Sequence, residues 1–115
     1  MSDHRDQMSI RQMLEYARQA CQIAAPYRRP DLDTNLMLKY TLIYLITVLG
    51  EAARRVSQPT KNQYPQIPWS EIIGMRNRLV HGYDTIDLDL LWDTVQLELP
   101  PLIQSLEGIV GRQAG

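Results

Sequence analysis

Apolar residues recur at Met8, Ile10, Met13, Leu14, Ala17, Ala20, Cys21 and Ala24, close to the i, i+3, i+4, i+7 spacing that builds one face of an α-helix. Charged residues fall between them. The pattern predicts an amphipathic helix over Met8 to Ala24, stopped near Pro26. Arg28, Arg29 and Pro30 form a short connection, after which Asp31, Asp33 or Thr34 can cap a second helix. This second helix runs from about Thr34 to Val56, and its middle is apolar on every side, from Leu36 through Leu42, Ile43, Leu45 and Ile46 to Leu49. Such a helix must be covered all round. A helical domain of 115 residues can hardly surround it alone, so the pattern implies a subunit interface along it, most simply an isologous homodimer.

Ser57 to Pro68 holds Pro59, Pro65 and Pro68 and reads as the longest loop. Pro68 and Trp69 open a third helix, Pro being tolerated in a first turn, which continues to about His81. Gly82 follows as the stop. Asp84 to Asp87 turns the chain, and Asp87 can cap a fourth helix through Leu99. Pro100 and Pro101 then break or kink it, since each lacks an amide donor and crowds the preceding turn; apolar spacing resumes over Leu102 to Val110. No segment alternates with period two. The expected architecture is all-α, an up-and-down bundle of four to five helices forming one domain over residues 1–115, with 1–7 and 111–115 frayed.

Composition narrows the class. With 44% hydrophobic and 22% charged residues the chain matches an ordinary globular protein rather than a disordered or low-complexity one. There is no Phe, so Leu, Ile, Val and Met must fill the core. The single Cys21 excludes an internal disulfide and a multi-cysteine metal site and fits a reducing compartment, the cytoplasm by default. No apolar stretch follows the polar start as a signal peptide would require, and the run Tyr40 to Gly50 is shorter than the ~20 residues a bilayer needs, so no membrane role is expected. The net charge of -1 argues against sequence-independent phosphate binding by the whole chain. Its halves differ, however: up to Arg78 there are eleven Lys and Arg against seven acids, and from Leu79 one Arg against six acids. Ten of the twelve cations are Arg, the residue suited to bidentate phosphate or carboxylate contact.

Candidate chemistry gathers at the end of the third helix. His4 lies in a fraying terminus, which leaves imidazole chemistry to His81, at the end of Arg76-Asn77-Arg78-Leu79-Val80-His81-Gly82-Tyr83. On a wheel of ~100° per residue, Ile72, Ile73, Met75, Leu79 and Val80 define an apolar arc with Arg76 near its centre. An unpaired buried guanidinium would cost several kcal/mol, so Arg76 either meets an acid, for which Glu51 is the candidate, or opens into a crevice that binds an anion. Asn77 and His81 share a side of the helix. Arg76 and His81 stand ~140° apart on an ideal wheel, and come together only if the last turn loosens or a partner subunit lays its helix across. If they converge, a guanidinium can stabilise charge developing on a phosphate and an imidazole can act as general base or acid. With an RNA 2'-hydroxyl as internal nucleophile, that chemistry requires no metal or cofactor. Structural alternatives stand beside it: His81 as an imidazole at a helix terminus, and Arg76 ion-paired to Glu51. Arg54 and Arg55 either line an RNA path beside Arg28 and Arg29 or solvate helix ends.

The runs Gly50-Glu51-Ala52-Ala53, Tyr64-Pro65-Gln66-Ile67-Pro68-Trp69, Ile72 through Tyr83, and Ile86-Asp87 through Trp92 to Leu99-Pro100-Pro101-Leu102 together resemble the HepT family of HEPN proteins, in order and over nearly the whole chain. The central motif is similar to that family's Arg-x4-His followed, one residue later, by Tyr. The resemblance implies a homodimeric helical ribonuclease toxin whose two motifs meet in a cleft at the dimer interface, paired with a small MNT-type nucleotidyltransferase antitoxin. Carried over by position, it makes Arg76 and His81 the catalytic pair, Asn77 and Glu51 supporting residues, and Tyr83 the hydroxyl that the antitoxin modifies with AMP. Added negative charge and bulk two residues from His81 would block RNA entry. The rival functional reading is a non-catalytic helical dimer that binds a nucleotidyltransferase partner or nucleotides through the same residues.

Overall fold

A computed structural model describes residues 4–82 and 85–114 of the chain. Helix α1 spans His4–Ala24, α2 Leu36–Arg55, α3 Gln58–Gln63 and α4 Trp69–Leu79. A two-residue strand β1 (Val80–His81) pairs antiparallel with β2 (Thr85–Ile86). A last helical rod then runs as α5 (Leu88–Asp93), a π turn (Thr94–Glu98) and α6 (Leu99–Ala114). Counting that rod once gives five helices among the described residues, an all-α, HEPN-like bundle.

α1 packs against both α2 and α6, and α4 lies on α2. The apolar arcs drive this. Ile10, Met13, Ala17 and Ala20 of α1, Leu42, Ile46 and Leu49 of α2, Ile72 and Leu79 of α4, and Leu99, Leu106 and Ile109 of α6 are all buried in one cluster. In the absence of Phe, the large side chains sealed from solvent are all Ile, Leu or Met; both Trp69 and Trp92 stay half-buried.

Several boundaries differ from the sequence reading. α1 starts at His4, inside the stretch expected to fray, because Asp6 is tied down. Its buried carboxylate accepts hydrogen bonds from the Ser57 N–H (3.0 Å), Ser57 Oγ (2.5 Å) and Thr60 Oγ1 (2.6 Å), joining the start of α1 to the junction of α2 and α3. Burial pushes this carboxyl up, but the Ser57 and Thr60 hydrogen bonds outweigh it, with a smaller pull from Arg5, and hold it below the ordinary Asp value. A carboxyl depressed in the folded state stabilises the fold above its unfolded pKa of 3.8 and loses that contribution as pH falls from there through the lower folded value. Asp6→Ala is therefore expected to cost about 2–3 kcal/mol at neutral pH, with Ser57 and Thr60 donors left without their acceptor. It should also flatten the acid limb of stability, measured by denaturant melts from neutral to acid pH; an unchanged acid limb would contradict this role.

The cap of α2 is Asn35, whose Oδ1 accepts from the Leu38 N–H at 3.0 Å, rather than Asp31, Asp33 or Thr34. Asp31 is occupied one turn earlier, accepting from the Arg28 N–H at 2.7 Å in a 3-10 turn over Arg29–Asp33. Asp87 does cap α5, through the Leu90 N–H at 3.0 Å. The expected long loop contains α3, with Pro59 in its first turn where a missing N–H costs nothing. Pro100 and Pro101 do not break the last helix. The π turn just before them shifts the ladder, so that the Leu99 N–H reaches the Thr94 carbonyl, and the chain stays helical through both prolines.

By length and composition α2 could cross a bilayer, more than the run Tyr40 to Gly50 suggested. In the fold, Leu38, Leu42, Leu45, Ile46, Leu49, Gly50, Ala52 and Ala53 are its buried positions, facing α1 and α4. Its other side carries Leu36, Met37, Tyr40 and Tyr44 to solvent, Met37 at 82% exposure. Within one chain, then, the all-round apolar helix is covered on one side and open on the other.

Candidate active site

α4 ends at Leu79, two residues earlier than expected, and this changes where His81 stands. Val80 and His81 leave the helix as an extended strand, with Val80 opposite Ile86 and His81 opposite Thr85. The Asp87 N–H closes the base of the hairpin on the Leu79 carbonyl at 2.8 Å. Gly82 opens the turn at a φ of +72°, a left-handed conformation that glycine adopts without a Cβ penalty. His81 therefore projects from a hairpin off the end of α4, and the ~140° offset of an unbroken helix does not apply. The signal was present in the chain: β-branched Val80, Thr85 and Ile86 flank a Gly-containing turn, which is a hairpin signature. The helical periodicity before it masked it. Tyr83, the residue expected to carry AMP, lies outside the described residues.

Arg76 is exposed, not buried. The wheel placed it at the centre of an apolar arc, but only Ile72, Met75 and Leu79 of that arc are buried; Ile73 and Val80, on the other side of Arg76, are half-buried. Arg76 thus sits at the rim where the core-facing side of α4 meets an open flank. Glu51 is not its partner. Glu51 lies 3.9 Å from Arg54, both exposed, a contact of little energetic weight. Among the described residues the Arg76 guanidinium reaches its neighbour Asn77, Nη1 to Oδ1 at 3.3 Å. Among the described residues no ion pair engages Arg76, whereas Arg78, on the other side of α4, lies 3.9 Å from Glu98 and donates to the Glu71 carbonyl at 3.3 Å. Arg76 is thus neither buried nor paired with Glu51, and its guanidinium faces solvent. No hydrogen bond joins Arg76 to His81 or Glu51 among the described residues; the three are brought to neighbouring elements, not into contact.

α4 is held against α2 by a close crossing. A Cβ placed on Gly50 would lie 3.1 Å from the Ile72 carbonyl oxygen, so the glycine lets the two backbones approach. That crossing fixes the height of α4, and with it Arg76 one turn further on, beside the helix that carries Glu51. The other cations are dispersed. Arg29 is bound to Asp89 (2.7 Å) and Asp33 (3.1 Å) before the start of α2, while Arg54 and Arg55 stand at its far end, about 30 Å along a 20-residue helix. They do not form a shared path. Cys21 is half-buried, its thiol 3.8 Å from the Val95 carbonyl, and burial raises its pKa, consistent with a packing role.

With this geometry in place the chain can be set against known proteins. A family model described as "Ribonuclease HepT-like" matches residues 13–109, from within α1 to within α6. The chain belongs to the HepT-like ribonuclease family. Among its HepT-like relatives, "Putative RNase MJ1380" of Methanocaldococcus jannaschii is 30% identical over 95 residues, covering 83% of this chain and 87% of that one. "Putative RNase MJ0125" of the same organism is 34% identical over 80 residues, 70% and 69% of the two chains. "Probable ribonuclease HepT" of Thermococcus cleftensis is 32% identical over 72 residues, 63% and 66%. No solved structure matches. The HepT-like match takes in α2, α4 and the hairpin, the elements that position Arg76 and His81.

Proposed function

We propose that this HepT-like protein is a metal-independent endoribonuclease, the toxin of a HEPN/MNT toxin–antitoxin pair working in the cytoplasm. The observation that supports it most is the solvent-facing Arg76, without an acidic partner among the described residues, on the helix that leads directly into the strand carrying His81 in a chain of a ribonuclease family. In the reaction, the RNA 2'-oxygen attacks the adjacent phosphorus, and the bond from phosphorus to the 5'-oxygen breaks. His81 takes the proton from the 2'-hydroxyl, and the departing 5'-oxygen receives one from the same imidazole or from the second His81 of the dimer. Arg76 neutralises the charge that builds on the non-bridging oxygens, with Asn77 steadying its guanidinium. The products are a 2',3'-cyclic phosphate and a 5'-hydroxyl, and no water is consumed.

Two further parts belong to this reading. The exposed stripe Leu36, Met37, Tyr40 and Tyr44 on α2 is the homodimer interface, since monomeric proteins rarely leave such a contiguous apolar row uncovered. Tyr40→Glu combined with Tyr44→Glu is expected to convert a dimer to a folded monomer in analytical ultracentrifugation; a dimer that survives both charges overturns the assignment. An MNT-type nucleotidyltransferase neutralises the toxin by adding AMP to Tyr83, close in sequence to His81, where an added phosphate brings charge into the RNA path. The deciding experiment is incubation of cellular RNA with purified, mass-verified unmodified protein in EDTA. Cleavage leaving cyclic phosphate ends supports the enzyme. If no RNA is cut by a folded dimer, the non-catalytic reading, a dimer that binds the nucleotidyltransferase, takes its place.

A further inference from the structure

Between α3 and the first two turns of α4 lies an open cavity of about 590 Å³, within the range of pockets that hold small ligands. Its composition is unlike the protein core. Pro65, Trp69 and Ile73 supply apolar and aromatic surface, and Lys61 and Asn62 supply polar groups; none of the lining residues is acidic. Among the described residues the Lys61 ammonium has no carboxylate partner. Asn62 accepts from Gln58 Nε2 at 2.9 Å, which leaves its own amide protons to donate. The indole of Trp69 is fixed in plane by its Nε1–H, which donates to the Tyr64 carbonyl at 3.0 Å. A cation, an amide donor and a pre-set aromatic ring are the groups that hold one unpaired nucleotide: the ring stacks with the base, the amide meets a base edge, and the ammonium meets a phosphate.

Position connects this cavity to the site. Trp69, Ile73, Arg76 and Val80 follow at i, i+4, i+7 and i+11, so the cavity wall and the Arg76 guanidinium share one side of α4. Trp69 and Arg76 are about 10 Å apart along the helix axis. The cavity is next to the C-terminal end of α2, whereas the exposed Leu36 to Tyr44 stripe is on its N-terminal half, so dimerisation through that stripe leaves it accessible.

We propose that this cavity is a nucleotide subsite, in which Trp69, Lys61 and Asn62 seat an unpaired RNA residue flanking the phosphate presented to Arg76. The inference rests on the ribonuclease reading and assigns its substrate as single-stranded at that position. The probe is a short single-stranded RNA carrying thiouridine, bound to the full-length His81→Ala dimer so that it stays intact, photocrosslinked and mapped by mass spectrometry. Crosslinks to the peptide holding Lys61 to Trp69 are expected, and Trp69→Leu is expected to weaken binding about tenfold, the loss of one stacked base. Asn62→Asp, on an exposed side chain that cannot disturb the core, puts a negative charge at the cavity and should weaken binding as well. Wild-type protein is assayed for cleavage in parallel. If it cuts RNA while the cavity variants bind and cut like wild type and crosslinks fall elsewhere, the subsite is overturned and the ribonuclease stands. If wild type neither binds nor cuts RNA, both fall together.

Discussion

His81→Ala is expected to lose RNA cleavage by about 10²–10⁴-fold, the contribution typical of a positioned general acid–base group, while folding and dimerising as the parent does. The expectation follows from where the side chain stands. His81 is exposed, and its strand is held by backbone pairing with Thr85 and by the Asp87 N–H on the Leu79 carbonyl. None of those contacts uses the imidazole. Removing it therefore deletes chemistry and leaves packing untouched, and surface changes of this kind shift stability by only about 0.5 kcal/mol. The measurement is the initial rate of cleavage of a defined RNA, with circular dichroism and sedimentation on the same samples. A His81→Ala protein that still cuts would remove the imidazole from the mechanism. Arg76→Ala should fall by a comparable factor, since it removes the charge that meets the phosphate, and Arg76→Lys should recover only part of the loss, because an ammonium lacks the two-pronged donor geometry.

The second large effect concerns stability. Gly50→Leu is expected to destabilise the fold by about 1–3 kcal/mol or more, the range for forcing volume into a packed interior, which is a substantial share of the ~5–15 kcal/mol that holds a domain together. A Cβ alone would already approach the Ile72 carbonyl to 3.1 Å, and the atom it meets is backbone, which cannot rotate away. The relief available is for α4 to move off α2. Because α4 carries Arg76, the variant should lose cleavage as well as stability, although residue 50 touches no substrate. Gly74→Ala is the matched comparison: nothing lies within 4 Å of its added Cβ, and alanine is favoured over glycine inside a helix by up to ~1 kcal/mol, so this variant should melt at or above the parent. Denaturant unfolding of the two proteins checks both signs, and a Gly50→Leu protein as stable as Gly74→Ala would show that the crossing is not tight.

Much of the helical order was legible because apolar periodicity is a local property. The faces of α1, α2 and α4 follow from residue spacing, as does the apolar surface that α2 carries on a second side. Local capping was legible only where one candidate stood clear. Asp87 was recognised, whereas at the start of α2 three acceptors precede Asn35, and which of them caps depends on where the 3-10 turn ends. Pro100 and Pro101 predict an interruption from covalent geometry alone, but a π turn upstream absorbs both, a solution that spacing does not reveal.

The site divides the same way. The sequence pointed to Arg76 and His81 as the groups able to act on a phosphate, because arginine supplies a fixed positive charge and histidine is the residue type suited to proton transfer near neutral pH, and the resemblance to the family motif joined them. It could not say that Arg76 is open to solvent, since a wheel treats the apolar arc as one surface, whereas the neighbouring helix covers only the Ile72, Met75 and Leu79 side. Nor could it place Glu51 beside Arg54 rather than Arg76, or gather Lys61, Asn62 and Trp69 around one cavity. Burial and through-space pairing depend on which elements meet, and here that is set by a glycine crossing at Gly50, a carboxylate clamp at Asp6 and a hairpin that turns His81 off the helix. Residue types and their spacing carry the chemistry available to this chain; the packing of α2, α4 and the hairpin decides which of those groups face outward, because contact between residues distant in sequence is a property of three-dimensional burial and not of order along the chain.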